Sequence, residues 1–463
     1  MLPPAWRVRR RRLAVVGALA ALLLGGCATL PPLTAVADPD CADSLSPRGS
    51  ARALPGAPGL ATQRLLASLA VGAPAWSPAQ TRAWLARARA LALHDGSPAA
   101  GLPVDDGCVA AAAARFDAQG ARTLPRRAAV ADEYVESLRL LGGYPVSALG
   151  LKWGIAGYHA QALEDWGAFA APAWLEHALD GSGAAAPQAA PRAAAALAAA
   201  PRDALGLAQI DAALATRLAR AFAPRILVAQ VGADDVGGQP PGPPAAGGEF
   251  LPALSWRLDY TRIHDQLLPQ VSWVLWFPAR TAQGPLDPYA GPWDGFVWRT
   301  TFGADGWPLL HDSIHSCGCY HMVFAARHPA RAPGAGLFDE ARLQPQAPVP
   351  WARQTLWLDA GSHMLRWVSA GDAPLPAGAR PRALALESWA ESRRRFAAAL
   401  GPQGVLAATA RLERWWLWPS GVRSPGAMRD WGRHATAFVG EQHFDDPRAL
   451  QPYLRPADLP RRH

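Results

Sequence analysis

Lysine is almost absent from this chain of 463 residues, although it carries 45 basic side chains. Lys152 is the only lysine, and this bias towards arginine, with abundant alanine and proline, is typical of a GC-rich coding sequence. Residues 1–26 hold five arginines, and their removal would lower the formal net charge of +8 by five. The remaining positive excess is too small for a phosphate-binding footprint, so we expect no nucleic-acid partner.

The N-terminus lacks an apolar run long enough to span a membrane. The stretch from Leu13 to Leu24 has about a dozen residues, whereas a transmembrane helix needs about 20. Five arginines precede it, and Gly25-Gly26 follows it. A basic region, a short apolar region and a small-residue cleavage site form an export signal, so we predict that residues 1–26 are a signal peptide.

The end of this signal resembles the lipobox of bacterial lipoproteins. Leu24-Gly25-Gly26-Cys27 matches its pattern, and the resemblance implies that the chain is cut before Cys27 and that this cysteine carries palmitate-type acyl chains. Several acyl chains hold a protein stably on a membrane. The following residue is Ala28, not the Asp that resembles an inner-membrane retention signal, so we expect a lipid-anchored protein of the outer membrane that faces the periplasm.

Cysteine is also scarce, with five residues in the whole chain. If Cys27 is acylated, four cysteines remain in an oxidising compartment, and they allow three pairings. Cys41 and Cys108 are the natural pair, because Cys317 and Cys319 belong to a separate motif. Such a disulfide would add about 2–4 kcal/mol by restricting the unfolded chain.

Composition and periodicity divide the chain into segments. We expect an α+β protein in which an N-terminal helical region precedes a mainly antiparallel, sandwich-like β domain. Ser77-Pro78-Ala79-Gln80 predicts the start of a helix that runs to about His94. The predicted segments are a signal peptide, a tether, a helical region with a low-complexity insertion at 181–202, a β-rich domain and a C-terminal tail, at 1–26, 27–60, 61–222, 223–446 and 447–463.

The densest polar cluster runs from His311 to His321 and contains three histidines and two cysteines. On a strand, His311, Ser313, His315, Cys317, Cys319 and His321 would all face one side. Imidazole and thiolate groups together suit zinc or copper, so the pattern His-x-Cys-Gly-Cys-x-His favours a transition-metal site.

Distance limits which of these residues share one ion. Six strand residues span about 20 Å, whereas zinc–ligand bonds are only about 2.0–2.3 Å long, so the chain would have to fold back. Gly318 is the position where it could turn. We therefore predict a site formed by His315, Cys317, Cys319 and a residue from another segment, for which His363 after Gly361-Ser362 is the candidate.

Other interpretations remain open for this motif. Cys317 and Cys319 could form a strained, reducible disulfide, or one thiolate beside a histidine could act as a nucleophile. The cluster could also be a polar strand face with buried thiols and hydrogen-bonded histidines. Asp294, Arg299 and His321 are candidates for lining the same cavity, although Asp-Gly pairs are more often turns.

Residues 223–370 resemble the vacuolar protein sorting-associated sixty-two family of fungi and bacteria. The matching motifs, in chain order, are Ala223-Pro224, Asp234-Asp235, Asp294-Gly295-Phe296-Val297-Trp298-Arg299, Asp305-Gly306-Trp307-Pro308, Asp312-Ser313-Ile314-His315 and Gly361-Ser362-His363. The resemblance implies a β-rich fold in which His315 and His363 are neighbours, and it implies no activity. The family's acidic residue in the tryptophan segment is absent, and Cys317-Gly318-Cys319 is an addition. The whole chain also resembles proteobacterial lipoproteins with a Cys-Gly-Cys-Tyr-His run.

The sequence therefore predicts a cell-envelope lipoprotein without assigning it an enzymatic activity. One hypothesis is that its β domain binds a transition metal, zinc or copper. The alternative is a non-catalytic structural or glycan-binding lipoprotein with a disulfide-stabilised motif. Twenty tryptophans, most of them after residue 250, are consistent with a large core, and a few could stack on an envelope glycan.

Overall fold

A computed structural model describes most of the chain beyond the predicted tether. The described residues are 52–54, 57–94, 118–130, 132–168, 171–180, 188–331, 333–350 and 352–460. The predicted lipidation site, Cys27, and the predicted disulfide partners, Cys41 and Cys108, lie outside these residues. Within them, no helix is both long and apolar enough to cross a membrane.

Nine α-helices lie in the described part of the chain. They are α1 (Arg64–Ala70), α2 (Pro78–His94), α3 (Ala118–Arg127), α4 (Glu136–Leu141), α5 (Val146–Glu164), α6 (Ala189–Ala198), α7 (Ala212–Ala221), α8 (Trp389–Arg394) and α9 (Arg414–Leu417). The start of α2 matches the capping prediction, because Ser77 Oγ accepts from the Gln80 backbone N–H at 3.3 Å. The Gln80 side chain accepts in return from the Ser77 N–H at 2.8 Å, which completes a capping box.

Twelve strands lie in the same residues. They are β1 (Arg52–Leu54), β2 (Ala57–Thr62), β3 (Trp174–Leu179), β4 (Arg225–Ala229), β5 (Ala253–Ile263), β6 (Gln266–Arg280), β7 (Gly291–Phe302), β8 (Pro308–His315), β9 (Met322–Ala325), β10 (Gln354–Leu358), β11 (Leu365–Ala370) and β12 (Arg380–Ser388). The first two form a separate hairpin.

The other ten strands form one curled, mixed sheet in the order β11-β10-β4-β3-β12-β5-β6-β7-β8-β9. Three neighbouring pairs are parallel, β10 with β4, β3 with β12, and β12 with β5, and the rest are antiparallel. The α+β expectation is confirmed, and most neighbouring strand pairs are antiparallel as expected, but the strands form one mixed sheet that is not clearly a sandwich. The physical reason is that β12 enters between β3 and β5 and joins strands from distant parts of the chain.

Several segments take part in the fold differently from what composition indicates. Strand β3 comes from the expected helical region and pairs with β4 and β12. Helix α6 lies within the expected low-complexity insertion, and its Ala194 and Leu197 are buried in the main core. Leu450 and Tyr453 of the expected tail are buried in a smaller core beneath β8.

Strands β6, β7 and β8 carry the candidate site. A core covers each of their two faces, so polar side chains on either face are buried. On one face, Trp298 of β7 packs in a core with Leu218 of α7 and the neighbouring Phe222. On the other face, Val297 packs in a core with Trp389 of α8 and Phe444 of the C-terminal segment. Successive residues of a strand point to opposite faces, so polar residues on β7 and β8 fall into two separate buried groups.

Candidate functional site

The first buried polar group is centred on Asp294 of β7, and we call Asp235, Asp294, His315 and His363 the Asp294 network. The His315 Nδ1 lies 3.2 Å from Asp294 Oδ1, and the His363 Nδ1 lies 3.0 Å from Asp294 Oδ2. The His363 Nε2 faces Asp235 Oδ1 at 3.5 Å. All four side chains are almost completely buried. One carboxylate therefore holds two histidines from separate segments.

The backbone prepares Asp235 for this role. Its Oδ2 accepts from the N–H groups of Val231 and Gly232, and its Oδ1 accepts from the Gly361 N–H at 2.6 Å. The loop that carries His363 is thus pinned directly beside the carboxylate that the ring faces. The His363 ring also stacks on Phe277 with their centroids 3.7 Å apart.

Mutual charges set the protonation states in the network. Burial alone would lower the pKa of His363, but its hydrogen bonds to Asp235 and Asp294 raise it. Burial would raise the pKa of Asp294, yet His315 and His363 hold it well below its usual range. The pKa of Asp235 falls to about 2 against the effect of burial, because His363 and the three N–H donors stabilise its charge. His363 accordingly lies between two carboxylates, which favour its protonated form.

His315 has one ring nitrogen left over. Its Nδ1 is held by Asp294, while its buried Nε2 has no hydrogen-bond partner among the described residues. The ring of Tyr320 packs edge-on against it, with the centroids 5.0 Å apart. Asp294 therefore orients His315 as a carboxylate orients a histidine base, and Tyr320 packs against that buried ring.

The second buried polar group lies on the opposite face, around Asp312 of β8. Arg299 binds its carboxylate with two nitrogens, at 2.8 and 2.5 Å, and His321 Nε2 lies 2.9 Å from Oδ2. Arg342 in turn donates to His321 Nδ1 at 2.9 Å. Burial lowers the pKa of His321 to about 4 despite Asp312. Arg299 and His321 thus belong to a structural network, separate from Asp294.

A tight turn after β8 separates the two cysteines from the strand. The His315 N–H donates to the Cys319 carbonyl at 3.0 Å, and the Gly318 N–H donates back to the His315 carbonyl at 2.8 Å. Gly318 has φ of 97°, which confirms that the chain folds back there. The strand ends at His315, so the one-face arrangement predicted from alternation is wrong for Cys317, Cys319 and His321.

The thiols differ in their surroundings. Cys317 is buried in the core that contains Trp276 and Ile314, while Cys319 is partly exposed. Neither thiol forms a disulfide in the described structure. The Cys319 N–H donates to Cys317 Sγ at 3.4 Å. The hydrogen bond with Cys317, together with burial, raises the pKa of the Cys319 thiol well above its usual value. Cys319 is therefore a neutral thiol, which disfavours the activated-nucleophile alternative.

The predicted metal-site residues only partly converge. His315 and His363 are brought together by Asp294, whereas Cys317 lies in a separate apolar core and Cys319 packs against the edge of that core. Among the described residues, no three His, Cys, Asp or Glu side chains form a group that could hold a metal ion. Both ring nitrogens of His363 face carboxylates, so it would have to release one of them to coordinate a metal.

A cavity of about 420 Å³ adjoins the turn. Cys319, Tyr320 and His321 contribute to its floor, and helix α5 forms a wall with Leu151 and Ile155. The lining also contains charged and aromatic side chains from distant segments: Arg280, Arg342, Glu340, Glu413, Tyr158, Tyr289 and Trp416. The sequence does not reveal that these residues line a cavity, because they are isolated in the chain and only the fold brings them together.

Burial brings the pKa values of two acids in the cavity close to 7. Burial raises the pKa of Glu340 to about 7 although the Phe438 and Val439 N–H groups donate to it. Burial also raises the pKa of Glu413 to about 7, against the opposing effects of Arg280 and Arg411. The Glu413 carboxylate has no hydrogen bond or ion pair with the residues that the structure describes. It is thus the group in this cavity most available to a ligand.

Comparisons with known proteins found no match to this chain. No protein-family model, no curated protein and no solved structure matches it. The resemblance of residues 223–370 to the vacuolar protein sorting-associated sixty-two family therefore stays a prediction from short motifs.

Proposed function

We propose that this chain is a cell-envelope lipoprotein, anchored through Cys27 to the outer membrane, whose cavity binds an amphipathic small molecule with a hydroxyl-bearing head group. The single observation that carries the proposal is the two-sided lining of the cavity. One wall is apolar and carries glycines, while the floor holds buried charged groups, one of them an unpaired carboxylate. The lipobox-like Cys27 supports the envelope location.

The apolar wall leaves room for a hydrocarbon chain. Gly150 and Gly154 of α5 line the cavity, and a Cβ added at either position would meet no atom within 4 Å. Leu151 and Ile155 flank these glycines, and Met364 and Leu417 lie across from them. Pockets that combine apolar walls with a few polar groups are typical of small-molecule sites.

The floor fits a head group that both donates and accepts hydrogen bonds. Arg280 and the Tyr320 hydroxyl lie 3.4 Å apart and supply donors. Glu413 supplies an acceptor, and the nearby cations and anions leave the floor without a strong charge of one sign. Hydroxyl groups satisfy both kinds of partner, so a sugar-like head group fits better than a phosphate or an ammonium group. Tyr289 and Trp416 offer faces on which a sugar ring stacks.

The test is a titration of the purified chain with dodecyl maltoside below its micelle-forming concentration, followed by calorimetry. Gly154→Leu fills the cavity and should weaken binding about tenfold or more, since the leucine occupies the space of the alkyl chain. Gly157→Leu is the matched control, because it lies on the same helix, outside the cavity lining, with open space around it.

Both substitutions replace a helical glycine and should stabilise α5 to a similar small extent. Free maltose and dodecylphosphocholine separate the contributions of the head group and the chain. Equal affinity of the two leucine variants for dodecyl maltoside, or tighter binding of dodecylphosphocholine, would contradict the proposal.

A transition-metal site at the cysteine turn is the second candidate function. The observation that favours it is the sequence of the turn after β8: it carries two free thiols, Cys317 and Cys319, and it follows His315, whose buried Nε2 has no hydrogen-bond partner among the described residues. Elemental analysis of chain purified without chelators or immobilised nickel, together with titration of the thiols after denaturation, tests it. Stoichiometric zinc or copper supports a metal site, and metal-free protein with two reactive thiols contradicts it.

A further inference from the structure

The exposed apolar side chains of the described structure are concentrated in one place. Eleven of the sixteen large apolar residues that are exposed lie on α4, α5, the residues around α9, and the adjoining loop at Leu337 and Phe338. Trp153 of α5 is 83% exposed, and Trp415 of α9 is 64% exposed. Monomeric proteins rarely leave such a set uncovered unless it contacts another surface.

These elements form one continuous face. The turn at Trp418–Ser420 contacts α4, α5 and α9. Lys152 of α5 donates to the Leu337 carbonyl at 3.2 Å, and the Phe338 ring lies near Tyr144. We call this face, which consists of α4, α5, α9 and the Leu337–Phe338 loop, the apolar platform.

Helix α5 has apolar residues on two opposite sides. Leu151, Gly154 and Ile155 face the cavity. Val146, Leu149 and Trp153 follow the spacing of a second helix face and are exposed. Of its nineteen residues, only Ala148 and Ala162 are buried. The second face of α5 is therefore an apolar surface that another apolar surface would favourably cover.

We propose that the apolar platform rests on a lipid bilayer, which places α5 and α9, the helices that line the cavity, beside the membrane that supplies its amphipathic ligand. This deepens the function proposed above and rests on its lipid anchor. Tryptophans rimmed by leucines are the side chains that settle at the boundary between head groups and acyl chains. Trp153, Trp415 and Trp416 supply them here.

The chain between the anchor and the described structure is long enough to permit this contact. Residues 28–51 separate Cys27 from β1, and 24 residues reach up to about 80 Å. A globule of this size has a radius of gyration near 20 Å, so the tether leaves every face able to reach the bilayer. The chemistry of the surface therefore decides which face contacts the bilayer. The apolar platform is the face whose contact with the bilayer is most favourable, because it exposes the most apolar side chains.

The experiment uses the full lipidated chain reconstituted into vesicles of phosphatidylcholine with brominated acyl chains, which quench tryptophan on contact. We expect quenching in the wild type and its loss in the combined variant Trp153→Phe, Trp415→Phe, Trp416→Phe. Trp76→Phe is the control, because Trp76 packs beside α2, away from the apolar platform, and should leave the quenching unchanged.

Flotation of the same vesicles reports the anchor separately. A chain that floats without quenching overturns the bilayer contact and leaves the anchor intact. A chain that floats with quenching but carries no acyl group supports the contact and overturns the anchor. Failure to float overturns both. Absence of quenching together with dimers in sedimentation, dissociated by Trp153→Ser, would show instead that a second copy covers the platform.

Discussion

Almost no water reaches the Asp294 carboxylate, so neighbouring side chains stabilise its negative charge. Both of its oxygens are engaged, one by His315 and one by His363. Because His363 also faces Asp235, the network joins β7, β8, the loop before β11 and the turn before β5. A single residue thus connects four segments across one face of the sheet.

Replacing Asp294 by Asn should destabilise the fold strongly. The substitution keeps the shape but removes the buried negative charge that faces both His315 and His363, and removing one partner of a buried charged pair costs about 3–5 kcal/mol. Guanidinium unfolding of the variant measures the loss. Asp372→Asn, at an exposed position, is the control and should stay close to the wild type. A loss for Asp294→Asn no larger than that of the control would contradict the stabilising role of the Asp294 charge.

The importance of Asp294, His315 and His363 could be predicted because they lie in short, unusual motifs. Arg280 and Glu413 could not, since each is a single charged residue in an ordinary local context. Their role comes from burial beside Tyr320 and Cys319, and burial depends on contacts between segments more than a hundred residues apart. Sequence periodicity carries no information about such contacts.

At the scale of elements, the turn after β8 decides where the cysteines point. Alternation along a strand holds only while the strand continues, and here it ends at His315. Gly318 takes a positive φ, and a Cβ there would lie 2.1 Å from the Ala435 carbonyl oxygen. The prediction of a fold-back at Gly318 was right, and the one-face alignment of the cysteines was wrong for the same reason.

Gly318→Ala should therefore destabilise the protein. The strained φ costs about 1–3 kcal/mol, and the clash with the Ala435 backbone adds to it. The melting temperature should fall by several degrees. Gly334→Ala serves as the control, because a Cβ at that position meets nothing within 4 Å. Equal melting temperatures for the two variants would show that the turn accommodates a side chain.

The sheet order could not be predicted from the strands themselves. Alternating and apolar runs identify β5, β6 and β7 as strands, but the insertion of β12 between β3 and β5 depends on pairing across two hundred residues. Strand β3 is also short and lies among helices, where its period-2 pattern is hidden by neighbouring helical residues. Local pattern gives strand identity, and tertiary packing gives strand order.

For the whole molecule, buried histidines should make the fold sensitive to acid. Burial lowers the pKa of three of them, His177, His311 and His434, to about 3 and that of His321 to about 4. Each is neutral when folded at pH 5.5 but protonated when unfolded. Glu340 and Glu413, with pKa values of about 7, act oppositely because the folded state binds their protons.

The difference leaves about two more protons on the unfolded chain between pH 5.5 and 4.5. Stability should therefore fall by roughly 2–3 kcal/mol per pH unit as the pH drops through this window. Guanidinium unfolding at several pH values measures the slope. His434→Gln should reduce it by about one proton. Stability that rises from pH 6.5 to 5 would contradict these protonation states.

The cavity, the apolar platform and the expected lipid anchor combine in our central proposal: we propose that the protein takes an amphipathic ligand from a membrane to which it is anchored. Native mass spectrometry of the lipidated chain, extracted from its own membranes without sugar detergents, tests this claim most directly. We expect the wild type and Gly157→Leu to carry an additional bound amphiphile with a hydroxyl-bearing head group. We expect Gly154→Leu to have lost this ligand. Ligand-free wild-type protein, or equal loading of the two leucine variants, would contradict it.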